Sequence, residues 1–225
     1  IPGLTVLPGI KDPDHPGALP LLGFIQYSFV NANSETASGL DFSGTARFPI
    51  SSGITFTSRV DASYLIKLEK NIDGTIQRYD GTLSPCDITS CSGAPKWRGT
   101  WTNTLDFGRT SLTATANYTS GYDMASIDYG GIKGDCADNG GVSAATYADG
   151  TVFKCRAKRF ITLDLTGSTK VADHFTLYFN ALNILGAKPD FNPGQSYNLG
   201  YNYNVAWEGQ GFVGRFFRVG AKVDF

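Results

Sequence analysis

The chain has 225 residues, of which 17% are charged and 13% aromatic, with 27 Gly and a formal net charge of -1 at pH 7. That balance offers no basic field to nucleic-acid phosphates and no polybasic patch to an anionic membrane surface. No stretch reaches the roughly 18 consecutive apolar residues of a transmembrane helix, so a bilayer can be crossed only by strands.

The chain opens at Ile1-Pro2-Gly3 without an initiator Met and without a basic-then-apolar signal segment, which predicts a processed, trimmed or partial polypeptide. Residues 1–35 are Pro-rich and irregular, although residues 22–33 offer an eighth strand. From residue 36 the pattern changes to period-two alternation. Over residues 36–50, Leu40, Phe42, Ala46 and Phe48 oppose Asp41, Ser43, Thr45 and Arg47. A short turn at Ser51-Ser52-Gly53 leads to residues 54–70, where Phe56, Val60, Ala62, Tyr64, Ile66 and Leu68 oppose Thr57, Arg59, Asp61, Ser63, Lys67 and Glu69. A long polar stretch, 72–95, follows.

Residues 96–108 place Trp97, Trp101, Leu105 and Phe107 against Lys96, Arg98, Thr100, Thr102, Thr104 and Asp106. After a turn at Gly108-Arg109, residues 110–123 set Leu112, Ala114, Ala116, Tyr118 and Tyr122 against Thr113, Thr115, Asn117 and Thr119. A second long loop, 124–157, precedes residues 158–172, in which Ile161, Leu163, Leu165 and Val171 oppose Thr162, Asp164, Thr166, Ser168 and Lys170. A turn at Asp173-His174 leads to a strand over 175–187, a third long loop over 188–211, and a last strand over 212–225 with Phe217, Val219, Ala221, Val223 and Phe225 on one face.

Two features separate this pattern from a soluble sandwich, which also alternates. The segments run to a dozen or more residues, whereas globular strands cluster near 5 to 6 and a tilted bilayer crossing takes about 9 to 11. The connections alternate between short turns and long polar loops, as periplasmic turns and extracellular loops do in outer-membrane barrels. The expected fold is therefore all-β: an antiparallel transmembrane β-barrel segment of about seven strands in the bacterial outer membrane. An open sheet of seven would leave edges unpaired in lipid, so either the eighth strand forms or the chain is part of a larger barrel.

Cys86, Cys91, Cys136 and Cys155 fall in the two polar loops, which is disulfide placement in an oxidising compartment. Four cysteines allow three connectivities; Cys86 with Cys91 and Cys136 with Cys155 keeps each bridge within one loop, and a zinc site is the competing reading. Catalysis is not expected, because His174 lies in a turn and His15 in an irregular segment, neither placed to serve a nucleophile. No cofactor is expected. The candidate ligand contacts are Phe191, Tyr197, Tyr201, Tyr203 and Trp207, aromatic residues of a weakly charged loop that suit a sugar or an aromatic chelate, with an aromatic girdle at the bilayer rim as the alternative. The lumen-facing charges, among them Arg59, Asp61, Arg98 and Asp164, read as a solvated barrel interior more than as a substrate site. Arg215 shares the parity of the lipid-facing residues and is expected at the rim.

Three stretches carry a resemblance. Phe29-Val30-Asn31-Ala32-Asn33 with Thr36-Ala37-Ser38-Gly39-Leu40-Asp41, then Asn180-Ala181-Leu182-Asn183-Ile184-Leu185-Gly186-Ala187-Lys188-Pro189, then Gly214-Arg215-Phe216-Phe217-Arg218-Val219-Gly220 ending at Phe225, are similar to strands of TonB-dependent outer-membrane receptors, particularly those of sphingomonad and Caulobacter type. The resemblance spans roughly residues 27 to 225 and implies the C-terminal strands of a barrel of about 22, with residues 1–35 as an extracellular loop and strand lead-in and the lumen-facing charges in contact with a plug. It further implies import of a scarce large nutrient, a siderophore, oligosaccharide or similar solute. The implied partners are the N-terminal strands and plug domain of the same receptor, the TonB complex and outer-membrane lipid, with Phe225 as the assembly signal. A complete eight-stranded barrel acting as adhesin or anchor is the alternative.

Overall fold

The computed structural model describes residues 4–7, 9, 13–17, 24–27, 33–72, 74–82, 93–123, 156–190 and 205–224. Its elements in chain order are β1 (Leu4–Leu7), β2 (Phe24–Tyr27), β3 (Asn33–Ser51), β4 (Ile54–Ile72), β5 (Thr75–Arg78), β6 (Trp97–Asp106), β7 (Thr110–Thr119), β8 (Tyr122–Asp123), β9 (Arg156–Ala157), β10 (Phe160–Ala172), β11 (Phe175–Leu182), the short helix α1 (Val205–Glu208) and β12 (Phe216–Val223). The main sheet runs β12-β11-β10-β7-β6-β4-β3, with β5 beside β4, and every pairing within it is antiparallel. It is a segment of barrel wall, all-β and built from up-and-down neighbours.

The register lines up like residues across much of the sheet, with Ser58 opposite Asn103 as a polar pair on the apolar face. Asp61 faces Thr100, Thr100 faces Asn117 and Asn117 faces Thr162, so one row is polar throughout. The next row runs Phe42, Ala62, Gly99, Tyr118 and Ile161. Because side chains alternate with period two, a slip of one residue between any pair would mix the rows.

The apolar face is left uncovered: Val219 is 81% exposed, Phe217 67% and Trp101 53%. In water such a continuous patch would be a liability, whereas in hydrocarbon it is the stable arrangement. Aromatic clusters mark its two ends. Phe48 stacks on Phe56 at 6.4 Å near the short turns, while Tyr64 and Phe42 pack on Trp97 at 4.5 and 6.2 Å toward the other end. Phe56 to Tyr64 spans about 27 Å along the strand at about 3.4 Å per residue. At a tilt of about 40° that is about 20 Å of depth, near the about 25 Å height of an outer-membrane barrel's apolar band.

Short turns need residues that tolerate left-handed backbone, and Gly53 supplies it between β3 and β4 with φ of +79°. Inside the sheet Gly167 answers a different need. It lies opposite Phe179, whose ring covers the site where a Cβ would stand, so an aromatic fills the gap a strand glycine leaves.

The structure moves several expected boundaries. Phe24–Tyr27 pairs with Leu4–Leu7 in a separate two-stranded sheet, so this stretch is not an eighth strand of the main one. The strand expected over 110–123 ends at Thr119, and Tyr122–Asp123 pairs with Arg156–Ala157 instead. The strand expected over 175–187 ends at Leu182 because Asn183 turns left-handed, φ +49°, and brackets Ala187 with both side-chain atoms, Oδ1 accepting its N–H and Nδ2 donating to its carbonyl, each at 2.9 Å. The last strand begins at Phe216 rather than 212. The stretch 72–95, read as loop, contains β5, a hairpin return against β4. Arg215, just before β12, donates Nε to the Ile184 carbonyl at 3.1 Å.

Candidate ligand site

A four-residue helix has no stability of its own, because nucleation fixes more dihedrals than its few hydrogen bonds repay. Helix α1 and the 3-10 turn Gly209–Gly211 that continues it are held by contacts to the wall. Glu208 is 1% exposed; its Oε1 accepts the Tyr122 hydroxyl at 3.0 Å and its Oε2 the Asp190 N–H at 2.9 Å. The Asp190 carboxylate in turn accepts the Lys158 N–H at 2.6 Å. Trp207 meets Tyr122 edge-on, ring centroids 4.6 Å apart and planes at 87°, a favoured aromatic geometry. One turn on, Gln210 Oε1 accepts the Thr162 hydroxyl at 2.9 Å. Segment 205–211 is thereby folded onto the polar face of the sheet.

Burial governs the electrostatics here. Desolvation raises the Glu208 carboxyl above the ordinary carboxylate range, outweighing the two donated hydrogen bonds that favour its ionised form, while the Asp190 charge adds to the rise. Tyr122, 2% exposed, is pushed far above the ordinary tyrosine range, first by burial and then by the charge of Glu208.

Beneath the docked segment lies a cavity of about 940 Å³. Its wall carries Asp41, Asp61, Arg98 and Asn117, and Trp207 and Gln210 close it from the docked side. Most of these groups are already matched within the fold. Asp61 receives Arg59 at 2.6 and 3.0 Å and the Ser43 hydroxyl at 2.9 Å, and Asp41 receives the Ser63 hydroxyl at 2.6 Å. Asn117 donates to Thr162 at 3.2 Å and to Asp164 at 3.3 Å. Arg98 makes no ion pair or side-chain hydrogen bond among the described residues. No group of three or more His, Cys, Asp or Glu is assembled for a metal among the described residues.

Of the residues singled out in the sequence, Trp207 lines this cavity. Phe191, Tyr197, Tyr201 and Tyr203, the cysteines Cys86, Cys91, Cys136 and Cys155, and Phe225 lie outside the described residues. Several others escaped the sequence reading. Tyr122 was placed with the apolar face of its strand but bonds inward to Glu208, and neither Glu208 nor Gln210 stands out from its neighbours in composition. Asn117, Thr162 and the acidic pair Asp41 and Asp61 were legible as polar-face positions and no more.

The sequence matches the family described as TonB dependent receptor-like, beta-barrel over residues 4–184, more than half of the chain. The chain belongs to this family. No curated protein and no solved structure matches it significantly. The family is one of outer-membrane receptors and transporters rather than enzymes. In a receptor barrel the polar face of the wall looks into the lumen, and the 205–211 segment and its cavity lie on that polar face. Among the described residues no helix is long and apolar enough to cross a membrane, which is silent on strands.

Proposed function

We propose that this chain is the C-terminal wall and ligand-capturing end of a TonB-dependent receptor of sphingomonad or Caulobacter type that imports a large, scarce nutrient. The observation that carries the reading is the family match combined with an uncovered apolar face of bilayer height and a polar face that holds a cavity. Residues 1–35 act as an extracellular loop and lead-in, and residues 36–225 as barrel strands, with extracellular loops at 72–95, 124–157 and 188–211. The short turns then face the periplasm, and the cavity opens toward the outside. The partners are the plug domain and remaining strands of the same receptor, with the TonB complex supplying energy. Aromatic residues of the 188–211 loop meet the ligand, and disulfides Cys86–Cys91 and Cys136–Cys155 brace the other two loops. Non-reducing peptide mapping should find those two bridges; a Cys86–Cys136 bridge or free thiols would contradict the pairing.

Deletion of the gene should abolish growth on one limiting nutrient in a panel of iron chelates and oligosaccharides, and a protonophore should abolish accumulation of that nutrient in the parent strain. Unchanged growth and uptake on the whole panel would remove the import reading.

A further inference from the structure

We propose that segment 205–211 is a releasable strap bounding the cavity, and that a bulky solute passes along this wall only once the strap lifts. Its role in uptake rests on the import reading; its movement does not. Seat and strap are built differently. The seat is a packed core, in which Tyr79, Thr82, Tyr122 and Ala157 are all buried. It joins the bases of two loops, since Tyr122–Asp123 pairs with Arg156–Ala157 and the Asp123 N–H donates to the Gly81 carbonyl at 2.9 Å. Such backbone pairing around buried side chains is slow to open.

The strap is a four-residue helix and one 3-10 turn, too short to hold its own shape. It is fastened by side chains: Glu208 accepts from the Tyr122 hydroxyl and the Asp190 N–H, and Gln210 accepts from the Thr162 hydroxyl. Water can take the place of each of these donors, and Glu208 regains its hydration when the strap leaves, so release exchanges hydrogen bonds instead of losing them. Gly211 sets how closely the strap lies down. A Cβ there would stand 2.8 Å from both the Phe160 ring and the Pro189 ring, so a larger residue holds the strap away from its seat. Position supplies the role. Trp207, Gly209 and Gln210 bound the cavity on one side and face a wall that carries Asp61, Arg98 and Thr100, so lifting the strap widens the way to those residues.

The test uses the full-length receptor in two arms. In the first, Thr100→Cys on the cavity wall is labelled with a maleimide carrying a long polyethylene glycol, on protein purified in detergent and against the parent as background. Adding Gly211→Val, which unseats the strap, should speed labelling about tenfold or more. A heat-modifiability shift on electrophoresis confirms a folded barrel; should Gly211→Val fail it, Tyr122→Phe with Gln210→Ala loosens the strap by removing two fastenings instead. An unchanged labelling rate in the folded variant would overturn the proposal. In the second arm Thr162→Cys and Gln210→Cys, at positions whose native side chains meet at 2.9 Å, are bridged by a short bis-methanethiosulfonate that a reductant removes. Cellular uptake of the nutrient identified with the deletion strain should fall about tenfold or more in the bridged receptor and recover on reduction, measured against the parent treated identically. Uptake through the bridged receptor at its own reduced rate would overturn the strap. Absence of uptake by the parent would count against import instead, and the labelling arm would still decide whether the strap lifts.

Discussion

Glu208 sits where a carboxylate is least at home, almost fully buried between a tyrosine hydroxyl and a backbone N–H. Its folded-state pKa is raised, so the protonated form is the better fit. Docking of the segment is then fully supported below the ordinary carboxylate range, near pH 4, and weakens as pH climbs through the raised value. In a variant whose only tryptophan is Trp207, emission should be blue-shifted at acid pH and move to the red as pH rises. Glu208→Gln should flatten that profile. Tyr122 does not confuse the reading, since its own pKa is moved upward and away from this window. Tyr122→Phe removes the donor to Glu208 and leaves a buried oxygen unmatched, at a cost to docking of about 1 to 3 kcal/mol. A red-shifted Trp207 at every pH is the expected result, and an unchanged spectrum would show that the hydrogen bond does not hold the segment.

Each strand is governed by parity, and parity was the part of this fold most legible in the sequence. Ile161, Leu163 and Leu165 against Thr162, Asp164 and Thr166 needed only the period-two rule, and the register bears the two faces out. The hairpin return of β5 was legible too, though unread: Asp73-Gly74 is a strong two-residue turn signal, and Gly74 has φ of +83° with Ile72 paired to Thr75 across it. Segment 205–211 was not legible. Its anchors, Tyr122 and Thr162, are 86 and 48 residues from Glu208 and Gln210, and no local pattern encodes contacts at such separations. The same contacts decide which substitutions report on parity. Thr162 is 1% exposed beneath Gln210, so a charge there would disturb the docked segment rather than sample a wet wall. Leu165 and Thr166 are adjacent, on opposite faces and at similar depth. Leu165→Arg should lower barrel stability by about 2 to 4 kcal/mol in a lipid refolding assay, and Thr166→Arg by much less. Equal losses would mean that neither face meets hydrocarbon.

At the scale of the whole molecule, the sheet has two outer edges, β3 and β12, and a face of exposed aromatics and aliphatics that only lipid can solvate well. Backbone groups on an edge within hydrocarbon each cost several kcal/mol unless paired, so both edges need hydrogen-bonding partners wherever they meet lipid. Polar and apolar surfaces are thus sorted by side of the wall rather than by core and exterior, and the three tryptophans report on that sorting. Trp101 sits mid-sheet on the apolar face, with its indole N–H donated to Ser58 at 3.0 Å, and Trp97 lies nearer the aromatic rim beside Tyr64. Trp207 is on the opposite side, at the cavity. Single-tryptophan variants of the full receptor, reconstituted in vesicles whose acyl chains carry bromine at mid-chain, test the arrangement in one experiment. Trp101 should be strongly quenched by the lipid and spared by aqueous acrylamide, while Trp207 should be spared by the lipid and quenched by acrylamide. Equal lipid quenching of the two, or none at Trp101, would contradict a barrel wall with its lumen on the Trp207 side.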